Sequence, residues 1–70
     1  MPNKLSNRLK VLRAERDLTQ EQLAGRVGVT RKTINTVERG VFVPSTVLAL
    51  KLAREFGVPV EDIFQLQSDQ

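Results

Sequence analysis

The 70-residue chain has 11 basic and 8 acidic residues, is 40% hydrophobic, and contains neither cysteine nor histidine. This composition predicts one small soluble domain, residues 1–70, and excludes disulfides, zinc sites built on His or Cys, and nucleophiles activated by histidine. No apolar run approaches the roughly 18 residues of a membrane span, and residues 1–10 lack the apolar segment of a signal peptide, so we expect a cytoplasmic protein.

A first helix is predicted from three leucines and a serine. Leu5, Leu9 and Leu12 recur at the spacing of one helical face. Ser6 is placed to cap this helix, and the apolar pattern ends near Asp17.

Four further helices are predicted from capping residues at their starts and glycines at their ends. Thr19 and Gln22 have capping-box spacing, in which each side chain bonds a free N–H group of the helix start. Gly28 suits the left-handed conformation that ends a helix. The predicted helices span approximately residues 19–27, 30–39, 45–56 and 59–63. The alternating residues 64–67 predict a short strand.

The second and third predicted helices have the spacing of a helix-turn-helix. Ala24 allows a close helix crossing, Gly28 makes a tight turn, and Ile34 seats the later helix against the earlier one. Such a motif holds its second helix out for the major groove of DNA. The alternative is an ordinary pair of antiparallel helices within a helical core.

The segment from Leu18 to Gly40, with its LTQEQLA and VERG motifs, resembles the Xre/Cro-like family of DNA-binding regulators. The resemblance continues through Pro44-Ser45 and covers roughly residues 5–65. It implies an all-α, lambda repressor-like DNA-binding domain of five short helices. The chain resembles in particular the short stand-alone members of the cytolysin-operon repressor type. These are homodimeric repressors, and some pair their two chain ends as a small antiparallel β-ribbon.

A helical wheel of the third predicted helix separates an apolar side from a polar and basic side. Ile34 and Val37 share the apolar side. The opposite side and its flank carry groups that donate hydrogen bonds to base edges, and the threonine methyl group can contact thymine. The expected base contacts are Arg31, Lys32, Asn35, Thr36 and Arg39. A solvated polar face is the alternative.

Helix starts provide a second set of expected contacts, because their free N–H groups and positive dipole ends attract phosphate. The expected phosphate contacts are Thr19, Gln20, Thr30, Thr33 and Ser45. The same hydroxyl residues also serve simply as helix caps. The resemblance implies that Gln20 contacts the DNA backbone and braces the recognition helix.

Two further expectations follow from the resemblance. It implies a structural ion pair between Arg13 and Glu38, and Glu38 lies toward the buried side of the wheel, where a carboxylate needs a partner. Some family members carry basic residues in the loop after the recognition helix, whereas Val41-Phe42-Val43 has none. The resemblance therefore does not imply a DNA contact from this loop, and we expect Phe42 to pack instead.

Charge and apolar surface divide the chain into two halves. Residues 1–32 have a net charge of +5 and residues 33–70 a net charge of −2, so the first half is predicted to face DNA. The later half holds a surplus of apolar residues that predicts a dimerisation segment at residues 58–67. The expected interface residues are Val60, Ile63, Phe64 and Leu66. The alternative is that Ile63 and Phe64 close the monomer core.

These features predict a sequence-specific regulator of transcription that binds double-stranded DNA, acting as a repressor on a pseudo-palindromic operator as a homodimer. A restriction-modification controller, a toxin-antitoxin antitoxin and a protein-interaction adaptor of the same fold are the alternatives. No catalytic constellation is present, so we expect no enzyme activity. We also expect no cofactor, metal, small-molecule ligand or membrane partner, and a cytoplasmic location at the nucleoid when the protein is bound to DNA.

Overall fold

The computed structural model describes residues 4–67 as five helices enclosed by two short strands. In chain order the elements are β1 (Lys4–Asn7), α1 (Leu9–Glu15), α2 (Gln20–Val27), α3 (Arg31–Glu38), α4 (Thr46–Phe56), α5 (Val60–Ile63) and β2 (Phe64–Gln67). The predicted five-helix architecture is confirmed, and so is the small antiparallel ribbon at the chain ends. Within residues 4–67, no helix combines the length and apolar character needed to cross a membrane.

One apolar core joins all five helices. Each helix contributes a side chain with 0% of its surface exposed, and these residues are Leu9, Leu23, Ile34, Leu52 and Ile63. Burial of such a side chain contributes about 1.5–3 kcal/mol relative to its exposure in water. All five helices therefore pack around the same cluster.

The first predicted helix begins later than expected, because its first residues form β1. Leu5 pairs with Leu66, and Asn7 pairs with Phe64, in the antiparallel ribbon. Ser6 is therefore not a helix cap; the Oδ1 atom of Asn7 instead accepts a hydrogen bond from the backbone N–H of Leu9 at 3.0 Å. The spacing of the leucines fits a helix, but backbone pairing with β2 determines the observed conformation.

The predicted boundaries of the next two helices are confirmed. The Thr19 hydroxyl accepts from the Gln22 N–H at 3.0 Å, and the Gln22 side chain accepts from the Thr19 N–H at 2.9 Å, which completes the capping box. Gly28 ends α2 with a φ of 76°. The Thr30 side chain then caps α3, so the turn between the two helices is short.

The contrast between two exposed glycines gives a test of this turn. Gly28→Ala is expected to lower the free energy of unfolding by about 1–2 kcal/mol, because a Cβ atom disfavours the left-handed conformation. Gly25 lies inside α2 and does not have a positive φ. Gly25→Ala is therefore expected to raise the free energy of unfolding by about 0.5–1 kcal/mol. An added Cβ atom at either position meets no atom of another part of the chain within 4 Å. Steric crowding therefore does not contribute to the difference between the two substitutions.

Urea unfolding followed by circular dichroism, at one protein concentration, measures both changes. Effects of the same sign at the two positions would contradict the assigned turn.

Candidate nucleic-acid interface

α2 and α3 are joined by Gly28, Val29 and Thr30 and pack directly against each other. Ala24, with 2% of its surface exposed, lies in the buried contact region of α2, and its carbonyl accepts a hydrogen bond from the Val29 N–H at 3.0 Å. Ile34 and Val37 bury the inner side of α3. The opposite side of α3 is therefore directed away from the core.

Three cations of the predicted base-contact set lie on or beside this outward face. Arg31 and Lys32 are exposed at the start of α3, and Arg39 is exposed at its end. Among residues 4–67, none of these three side chains has an intramolecular hydrogen bond or salt bridge. They are therefore free to donate to an external ligand.

The two other predicted base-contact residues are half-buried and have internal partners. The Thr36 hydroxyl donates to the carbonyl oxygens of Lys32 and Thr33, each at 3.0 Å. The Asn35 amide nitrogen lies 3.5 Å from the Oε1 atom of Gln20, a long hydrogen bond that is easily exchanged. Asn35 is thus the more adaptable of the two hydrogen-bonding groups.

The residues predicted to contact phosphate lie at the starts of three helices. The hydroxyls of Thr19, Thr30 and Ser45 accept hydrogen bonds from backbone N–H groups at 3.0, 3.2 and 3.1 Å, respectively. The hydroxyl of Thr33 lies 3.0 Å from that of Thr30. The hydroxyls of Thr19, Thr30 and Ser45 act as caps, and other N–H groups of each first helical turn are left for an anion.

A nearly buried carboxylate at the end of α3 connects three helices. The side chain of Glu38 is only 5% exposed. It accepts from Nε of Arg13 at 2.7 Å, from a second guanidinium nitrogen of Arg13 at 3.3 Å, and from Nε2 of Gln20 at 3.0 Å. Arg13 also donates to the carbonyl oxygen of Leu18 at 2.8 Å. α1, α2 and α3 therefore share one hydrogen-bond network.

Gln20 takes part in this network through both ends of its amide. Its nitrogen bonds Glu38 and its oxygen faces Asn35, which places it as a brace between α2 and the outward face of α3. A contact with phosphate requires it to exchange one of these partners.

The sequence patterns did not identify Asn7 as a second brace. Its amide nitrogen donates to the Val37 carbonyl at 3.0 Å, near the end of α3. An asparagine just before a helix is a local signal for the turn in which its side chain bonds the N–H group two residues later, as Asn7 does with Leu9. The bond to Val37 joins residues that are distant in sequence, so no local pattern indicates it.

The loop after α3 differs from the expectation. Phe42 was expected to pack, but 48% of its surface is exposed, and Val41 is 68% exposed. Phe42 is not part of the core cluster. With residues of α3 it borders an open cleft of about 300 Å³, whose lining residues are Lys32, Thr33, Thr36, Val41 and Phe42.

Two of the four residues predicted for a dimer interface are instead core residues. Ile63 has no exposed surface and Phe64 is 8% exposed, because α5 and β2 cover the end of the monomer core. Val60 is half-buried, whereas Leu66 is 71% exposed, opposite Leu5 in the ribbon.

An apolar surface nevertheless exists beside the ribbon, and it includes α4. An open cavity of about 270 Å³ brings Leu5, Val60 and Phe64 together with residues 44–46 and with Ala49 and Leu50 of α4. Leu50 is 57% exposed. The available apolar surface is therefore wider than residues 58–67.

Comparison with known proteins gives consistent matches. A family model described as helix-turn-helix matches residues 9–63. The chain is 48% identical over 66 residues to an uncharacterized HTH-type transcriptional regulator of Methanocaldococcus jannaschii, which covers 94% of this chain and 100% of that protein. It is 38% identical over 58 residues to the cryptic phage CTXphi transcriptional repressor RstR of Vibrio cholerae, covering 83% of this chain and 52% of the repressor.

A solved structure is also similar along most of its length. The restriction-modification controller protein C.AhdI of Aeromonas hydrophila superposes with a TM-score of 0.73 at 38% identity, covering 79% of this chain and 83% of that chain.

Removal of Arg13 tests the network at Glu38. Arg13→Met is expected to lower the free energy of unfolding by about 3 kcal/mol or more, because it leaves a buried carboxylate with Gln20 as its remaining side-chain donor. Replacing both partners, Arg13→Met with Glu38→Leu, is expected to restore most of the loss. Chemical unfolding of the parent, the single variants and the double variant measures the coupling.

Arg26→Met is the matched control for this cycle. It removes the other salt bridge of residues 4–67, with Glu55, in which the Arg26 side chain is 57% exposed. We expect a loss below about 1 kcal/mol. An Arg13 variant no less stable than the Arg26 variant would contradict the structural role of the network.

Proposed function

We propose, because the chain belongs to the helix-turn-helix family of DNA-binding transcriptional regulators, that it is a sequence-specific repressor that binds a pseudo-palindromic operator as a homodimer. The observation that carries the proposal is the polar, basic face of α3, whose exposed cations have no partners within residues 4–67 while the helix itself is braced from behind.

Within this proposal, the residues of α3 have separate roles in the major groove. Arg31, Lys32 and Arg39 donate to acceptor atoms on base edges or to phosphate, and Asn35 contacts adenine after leaving Gln20. Thr36 contributes its methyl group, since its hydroxyl is bonded to the helix backbone.

The starts of α2, α3 and α4 hold phosphates of the DNA backbone, with the capping residues Thr19, Thr30 and Ser45 fixing those helix starts. Thr33 supports the cap of α3, and Gln20 contacts a phosphate or braces α3, depending on which partner it keeps. The net charge of +5 in residues 1–32 attracts this half of the molecule to the duplex.

A homodimer is proposed because one domain of 70 residues gains both stability and specificity from a second copy. Its surface consists of Leu5, Leu50, Val60 and Leu66, with Val47 of α4 beside them. Binding of both subunits to the operator requires the two-fold axis to set the two α3 helices about one DNA turn, roughly 34 Å, apart. A DNA-bound protein of this kind acts in the cytoplasm, at the nucleoid.

A restriction-modification controller is the second candidate, favoured by the similarity to C.AhdI. A controller uses the same interface, so the genes beside the operator distinguish the two: genes of a restriction-modification system there would indicate a controller. An antitoxin is a third use of the same interface. A protein-interaction adaptor is disfavoured by the polar outward face of α3.

Base reading by α3 is tested with two alanine variants. Lys32→Ala and Asn35→Ala are each expected to reduce the discrimination between operator and random DNA by about 1–3 kcal/mol if the residue makes a bidentate contact. The control is Lys51→Ala, which also removes one positive charge, but from α4. It is expected to leave the discrimination between operator and random DNA unchanged. Fluorescence anisotropy with an operator selected from random DNA provides the affinities.

The salt dependence distinguishes the two kinds of contact. Equal losses on both DNAs, with a flatter dependence of log affinity on log salt, would assign a residue to phosphate rather than to bases. An affinity of the parent protein that does not change with salt would contradict DNA binding.

The dimer surface is tested with charge substitutions. Leu50→Glu is expected to convert a dimer to a monomer, because it places a carboxylate in the apolar contact. Val11→Glu is the control, since Val11 is 47% exposed but belongs to α1. Phe64 is unsuitable for this test because it is buried in the monomer.

Sedimentation equilibrium at micromolar concentration measures the mass of each protein. A monomeric parent, or a Leu50→Glu variant that stays dimeric, would reject the proposed surface.

A further inference from the structure

We propose that the cleft between α3 and the loop after it binds the C5-methyl edge of a thymine, a role that rests on the proposed function. Val41 and Phe42 would then determine operator specificity together with α3. The segment has no basic residue that would contact phosphate, yet its apolar side chains are exposed next to Lys32.

The loop is held at a fixed position relative to α3. The N–H groups of Val41 and Phe42 both donate to the carbonyl oxygen of Thr36, at 3.0 and 3.2 Å. Gly40 makes the turn with a φ of 76°, and its N–H donates to the Val37 carbonyl at 3.0 Å. A ligand in the cleft therefore does not have to order the loop, which lowers the entropic cost of binding.

The polar groups that line the cleft are almost all engaged within the protein. The Thr36 hydroxyl bonds two helix carbonyls, and the Thr33 hydroxyl shares a hydrogen bond with Thr30. What these threonines leave for a ligand is chiefly their methyl groups. The ammonium group of Lys32 is the one charged group among the lining residues.

An apolar wall beside a single cation matches the edge of thymine. In the major groove, thymine has a hydrogen-bond acceptor, O4, next to its C5-methyl group. Lys32 can donate to O4 while Phe42 and Val41 contact the methyl group. Cytosine has an amino donor in place of O4, which faces the ammonium group unfavourably, and guanine has two acceptors but no methyl group.

An interface with another protein is the competing explanation for exposed Phe42. The cleft shares Lys32 and Thr36 with the face of α3 that is proposed to enter the major groove, and no carboxylate lines it. The charge of Lys32 therefore favours an anionic partner, and the continuity of the cleft with this face of α3 favours DNA over an acidic protein surface.

The test replaces single thymines in the operator by deoxyuridine, which removes only the methyl group. An operator is first selected from random DNA with the parent protein, and each thymine is then replaced in turn. One thymine per half-site is expected to show an affinity loss of about fourfold, the effect of one buried methyl group. Fluorescence anisotropy gives the dissociation constants.

Protein variants test whether that methyl group binds in the cleft. The Phe42→Ala variant is expected to have the same affinity for operators that carry thymine or deoxyuridine at this position. Val43→Ala, in the same loop and 69% exposed but outside the cleft lining, is expected to keep the fourfold difference. Phe42→Leu keeps an apolar side chain and is expected to retain part of the difference; it replaces Phe42→Ala if thermal unfolding shows that variant to be misfolded.

Three outcomes overturn the inference, and one of them also overturns the proposed function. If the parent binds its operator but no thymine is sensitive to deoxyuridine, or if Phe42→Ala keeps the difference, the cleft does not bind a methyl group, although the DNA-binding function stands. If no DNA sequence is enriched at all, the proposed function fails as well.

Discussion

The carboxylate of Glu38 is the constraint on which the arrangement of the first three helices depends. It is almost fully removed from water at the end of α3, and its donors come from α1 and α2. A buried charge that loses its partners is costly, so none of these helices can rotate without the other two. The apolar core fixes the distances between helices, and this network fixes the direction in which α3 faces.

The network also divides the polar side chains of α3 into two groups. Thr36 and Glu38 are held by partners inside the protein, whereas Lys32 and Arg39 have none within residues 4–67. The fixed group loses little conformational freedom on binding, and the free group supplies charge that adapts to the ligand. A rigid helix with mobile cations combines a defined register on DNA with a strong attraction to its backbone.

The extent to which the sequence predicts this structure depends on how local each signal is. The caps at Thr19 and the turn at Gly28 involve residues a few positions apart, so they were predicted correctly. Leu5 has helical spacing but pairs with β2 at the other end of the chain, which no local pattern encodes. The same holds for the burial of Ile63 and the exposure of Phe42, because both depend on which distant elements pack nearby.

The ribbon of β1 and β2 has a consequence for the order in which the molecule is built. β1 is synthesised before the five helices, and its partner β2 is made only after all of them. Ile63, the contribution of α5 to the core, arrives equally late. The helix-turn-helix can begin to form during translation, because all of its residues are synthesised early. The complete domain cannot fold until the segment from Val60 to Gln67 has emerged from the ribosome.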